Sequence, residues 1–141
     1  MDEVIGQILA LVLAAFIGFI IGGEREKAGK PAGTRTLSLV CSASAFAAMI
    51  TVDIYPDQVP RVLAGVITGI GFLGAGVIIA QSKNVLGVTT AATIWATAII
   101  GMGIGMGDKY IFLASFFGLL VYFVLIERKL ELSMHRKKSG K

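Results

Sequence analysis

Apolar and polar residues fall into blocks along this chain. Five apolar stretches, 4–23, 36–52, 62–80, 88–106 and 110–126, are separated by short polar connectors and followed by a basic tail, 127–141. Each is close to the roughly 17–25 residues a helix needs to cross about 30 Å of hydrocarbon. The pattern predicts an all-α polytopic membrane protein, a five-transmembrane-helix bundle with no room for a soluble domain. The first stretch is read as a retained helix and not a cleaved signal. Asp2 and Glu3 stand where a signal is positively charged, and the apolar run exceeds the roughly 7–15 residues of a signal core.

The connectors are tight. Pro56 and Pro60 stiffen the turn from Asp53 to Arg61, and Gly107 and Asp108 reverse the chain before Tyr110, so consecutive helices are antiparallel neighbours. Small residues mark where helices approach closely in lipid. Ala10, Ala14, Gly18 and Gly22 recur at every fourth position of the first span, a stripe that calls for a partner and predicts a homodimer or higher homo-oligomer. In the third span, at about 100° per residue, Gly65, Gly69 and Gly76 share one face while Gly71 and Gly74 lie on the opposite one. That helix is expected to be sandwiched between two others. Gly101, Gly103, Gly105 and Gly107 close the fourth span, where they would pack tightly or unwind the helix. The fifth, rich in bulky aromatics such as Phe112, Phe116, Phe117 and Phe123, reads as lipid-facing.

Composition agrees: 55% of the residues are hydrophobic and 18 are glycine, with a mean hydropathy of +0.81. Charge adds direction. Of 13 lysines and arginines, all but Arg61 and Lys109 fall on one side of the five-span arrangement, which by the positive-inside rule is cytoplasmic. This places the N-terminus outside, the C-terminus inside and the protein in the cell (inner) membrane. The tail holds six basic and two acidic residues, which suits anionic lipid headgroups and not nucleic acid.

Chemistry is sparse. Gly69, Gly71 and Gly74 spell a dinucleotide-binding fingerprint, but they lie in mid-span with no preceding strand, and position 94 is isoleucine where an acid is needed. Cys41 is a lone cysteine inside the second span, and His135 stands alone in the tail. No nucleophile–base pair or metal-binding cluster is legible, so no catalytic residue is assigned and no enzyme is expected. Ionisable residues near a membrane are costly and mark function more often than chance. The candidates at the cytoplasmic face are Glu24, Arg25 and Glu26, then Arg35 and Thr36, then Asn84, Thr89 and Thr90; Asp53 and Arg61 face one another at the outer face. Glu24 and Glu26 lie about 200° apart on a continuing helix and do not share one ion. Either Glu24 or Asp53 would hold Mg²⁺ only together with water and carbonyl oxygens. Glu24 is expected to pair with Arg35, tying the first two helices. Thr89, Thr93 and Thr97 form a hydroxyl face opposite Trp95, expected to bond to backbone or to a neighbouring helix and not to line a pore.

The runs Gly22-Gly23-Glu24-Arg25-Glu26, Ala32-Gly33-Thr34-Arg35-Thr36 with Leu39-Val40, Gly69-Ile70-Gly71-Phe72-Leu73-Gly74-Ala75-Gly76, and Gly87-Val88-Thr89-Thr90-Ala91-Ala92 with Trp95 resemble the MgtC/SapB family of bacterial and archaeal membrane proteins. The resemblance covers about residues 1–110. It implies a five-helix inner-membrane domain associated with magnesium-limited growth and, in pathogens, with survival inside host cells. It also implies control of the F-type ATP synthase. Val88 stands where leucine is common in the family, an exchange that keeps size and polarity. Longer members carry a soluble C-terminal domain, and this chain reads as the short form without it. The family pattern points to Glu24, Arg25, Arg35, Thr36, Asn84, Thr89 and Thr90, with Gly69, Gly71, Gly74 and Gly76, as the functional and packing core.

Two functions compete. One is a regulator of magnesium homeostasis acting on a membrane protein partner through helix contacts, with no cofactor. The other is a transporter or channel for Mg²⁺ or another small solute.

Overall fold

A computed structural model describes residues 2–79 and 86–138. Among them are five α-helices: α1 (Asp2–Lys27), α2 (Thr34–Ile54), α3 (Val59–Ile79), α4 (Val88–Gly105) and α5 (Asp108–Lys138). Each is long and apolar enough to cross a membrane. A single 3₁₀ turn, Pro56–Gln58, joins α2 to α3, as proline at a helix start predicts. Gly107, at φ +99°, makes the reversal from α4 to α5, a conformation that glycine adopts without a Cβ clash. Two helices outrun their apolar stretches. α1 carries on through Glu24–Lys27, and α5 continues to Lys138, because nothing between Leu119 and Lys138 is glycine or proline.

α4 is the centre of the bundle: among the described residues it alone touches all four other helices. Its Ile94, Ala98, Ile100 and Ile104 are buried with Leu37, Cys41 and Ala45 of α2 and Ala14 and Ile21 of α1. In lipid there is little hydrophobic gain in joining two apolar helices, so association depends on backbones approaching closely enough for dense van der Waals contact. Glycine permits this here. A Cβ on Gly101 or Gly105 would collide with the carbonyls of Cys41 or Ala45, and one on Gly18 with the carbonyl of Leu37. Gly22 lies equally close to the Gly33–Thr34 backbone, and Gly103 meets Ala114 of α5. The glycine-rich end of α4 therefore packs and stays helical.

Two expectations change. The small-residue stripe of α1 is buried within the chain, Ala10 and Ala14 in the core and Gly18 and Gly22 against the start of α2, so it no longer supplies a reason for self-association. α3 is not sandwiched. It meets α4, where a Cβ on Gly74 would touch Ala91 at 3.4 Å, and α2 less extensively, while Gly65, Gly69, Gly71 and Gly76 have open space beside them. The cause lies in α4, whose small residues on several faces let it take the central place and leave α3 at the periphery. α5 faces outward as expected, with Phe112, Phe116 and Phe123 exposed, and Trp95 is exposed on α4.

Candidate functional site

The last turns of α1 carry the densest polar chemistry. Glu24 and Arg25 are buried, 8% and 5% exposed, and Arg25 Nη1 lies 3.6 Å from Glu24 Oε2. That oxygen has no hydrogen-bond partner among the described residues. A buried carboxylate short of donors is costly. Glu24 also lines a cleft of about 460 Å³ between α1 and α5, with Lys27 and Tyr122 beside it.

Glu26 turns the other way. Its Oε2 accepts from Thr34 Oγ1 at 2.6 Å and from the Thr34 backbone N–H at 3.2 Å. Thr34 is the first residue of α2, whose preceding residue is Gly33 with no side-chain cap of its own. The carboxylate thus satisfies a free N–H and places negative charge at the positive end of the helix dipole. This corrects the expected Glu24–Arg35 tie. The roughly 200° between Glu24 and Glu26 sends the first into the bundle with Arg25 and the second across to α2. Arg35 and Thr36 are exposed. Thr34 was not among the predicted site residues, although its place beside a glycine and opposite two glutamates was the available signal.

On α4, Thr90 is buried and Thr89 half-buried at the same end of the bundle. The hydroxyls of Thr93 and Thr97 donate to the carbonyls of Thr89 and Thr93 at 2.7 and 2.8 Å, so this face satisfies itself along the helix. Asn84 lies outside the described residues. At the opposite end, Asp53 accepts from Gln7 Nε2 at 2.5 Å, and Arg61 donates to Gln58 Oε1 at 3.4 Å. Among the described residues Asp53 therefore bonds to Gln7 and Arg61 to Gln58, and the two do not face one another as expected. Gln7 was missed because a lone amide in the first turns of an apolar helix gives no periodic signal. Among the described residues no three His, Cys, Asp or Glu side chains converge to hold a metal. Glu24 and Asp53 each offer a single carboxylate.

Five apolar helices around a glycine-packed centre, with an acid–base pair buried at one end, define a polytopic α-helical membrane protein. The chain belongs to the MgtC family, whose model matches residues 11–132. It is 43% identical over 101 residues to Protein MgtC of Salmonella typhimurium strain LT2, covering 72% of this chain and 44% of the relative. It is also 43% identical over 109 residues to YhiD of Escherichia coli K12, which bears a provisional magnesium-transporter name, covering 71% of this chain and 51% of that protein. Protein SrpB of Synechococcus elongatus is 39% identical over 118 residues, covering 73% of this chain and 65% of SrpB. The chain thus spans about half the length of the curated relatives it matches. No solved structure matches it.

Proposed function

We propose that this protein serves magnesium homeostasis in the cell's inner membrane by helix-to-helix contact with another membrane protein, its Glu24 end facing the cytoplasm. The supporting observation is α3. Gly65, Gly69 and Gly76 share a face with open space beside it, and Phe72, 81% exposed, projects from that face between Gly69 and Gly76. A knob flanked by glycine hollows is the surface a transmembrane helix packs against. The family resemblance nominates the F-type ATP synthase as the partner complex and stress or virulence adaptation as the setting. A second copy of the chain would dock on the same face. The test is crosslinking in native membranes followed by co-purification, comparing the natural chain with Gly69→Leu. Loss of the partner with the chain still folded supports the reading, and undiminished recovery overturns it.

A transporter of Mg²⁺ or another ion is the second reading, favoured by the buried Glu24 carboxylate and by the name of YhiD. Purified chain in liposomes separates the two: flux no greater than in empty vesicles ends the transport reading, and flux that falls in Glu24→Gln supports it.

A further inference from the structure

The cleft between α1 and α5 has a polar end and an apolar end. Glu24 and Lys27 lie at one, and Phe16, Phe19 and Ile20 wall the other. The three apolar residues are exposed, at 58%, 57% and 38%, so this part of the cleft opens sideways toward lipid tails. From Phe16 to Lys27 is eleven residues of α1, about 16 Å of helix rise, which is about one leaflet of a core ~30 Å thick. Lys27 ends α1, and the apolar run of α5 ends close by at Ile126. The polar end therefore lies at the level of the headgroups. About 460 Å³ is the size of a small-ligand pocket.

We propose that this cleft binds a phospholipid with a primary-amine headgroup, of the phosphatidylethanolamine class. Its ammonium donates to the Glu24 carboxylate, its phosphate meets Lys27, and one acyl chain lies along Phe19 and Phe16. The charge order fits: the Glu24 carboxylate lines the cleft, and an exposed lysine follows at the mouth. A choline headgroup carries its positive charge without an N–H and cannot donate to the carboxylate. A phosphatidylglycerol headgroup brings no cation to it. Arg25, buried 3.6 Å from Glu24 and not part of the cleft lining, balances the carboxylate without closing the cleft. This inference is independent of the partner-binding role of α3.

The test is native mass spectrometry of the delipidated full-length chain in detergent, titrated with phosphatidylethanolamine, phosphatidylcholine and phosphatidylglycerol of identical acyl chains. Phosphatidylethanolamine is expected to bind about tenfold more tightly than the other two, the order of one charge-assisted hydrogen bond in an apolar site. Glu24→Gln is expected to bring it within about twofold of phosphatidylcholine. Because Glu24→Gln also disturbs a buried pair, two exposed variants serve beside it. Lys27→Ala should weaken phosphatidylethanolamine binding about threefold, and Ile20→Trp should fill the cleft and abolish the preference with helicity unchanged. Equal binding of the amine and choline lipids by the natural chain overturns the proposal. So does a preference for phosphatidylglycerol, or a selectivity that survives Ile20→Trp.

Discussion

Gly105 of α4 rests directly on the backbone carbonyl of Ala45 in α2, in the space a side chain would occupy. One turn earlier Gly101 meets Cys41 in the same way, so the central helix is held by two backbone-on-backbone contacts. Gly105→Ala or Gly101→Ala should force α2 and α4 apart and destabilise the fold by about 1–3 kcal/mol. Unfolding in detergent by increasing denaturant, followed by circular dichroism, measures it.

Gly69→Leu is the contrasting case. Nothing lies within 4 Å of a Cβ there, so the single chain should tolerate the change within about 0.5 kcal/mol. A melting curve that collapses as it does for Gly105→Ala would mean that α3 is packed on that face.

The buried pair of Glu24 and Arg25 makes each partner dependent on the other. Arg25→Met leaves the Glu24 carboxylate uncompensated and should cost about 3 kcal/mol. The double change Glu24→Leu with Arg25→Met should restore most of that loss. Melting temperatures of the two single variants and the double variant give the coupling directly.

Glu26 and Thr34 form the tie between α1 and α2. Glu26→Ala removes the acceptor from the first N–H of α2 and should lower the melting temperature. Thr34→Ala, which loses the shorter hydroxyl bond, should lower it less, since the backbone bond remains. Equal melting of natural chain and Glu26→Ala would show that the cap contributes nothing.

The five helices were legible because hydrocarbon admits only segments whose backbone hydrogen bonds close internally, and block length alone reports such segments. The lipid-facing aromatics of α5 and the self-bonded threonines of α4 followed from the same local reasoning. Three-dimensional placement did not. Glycines in α1, α3 and α4 look alike in sequence, yet Gly18, Gly101 and Gly105 lie against neighbouring backbone while Gly65 and Gly69 face open space. Likewise two glutamates two residues apart were both visible. Which one turns inward depends on the rotation of α1 against α2, and that put Glu24 with Arg25 and Glu26 with Thr34.

What this chain's order of residues determined by itself is that it lives in a bilayer as five helices, because the cost of hydrating such long apolar runs outweighs every alternative. Tertiary structure alone decided that α4 lies at the centre, that α3 keeps an open glycine face and that Glu24 is buried beside a cleft. Those outcomes depend on which small-residue faces compete for the same neighbour, and a competition among helices is settled only when all of them are packed at once.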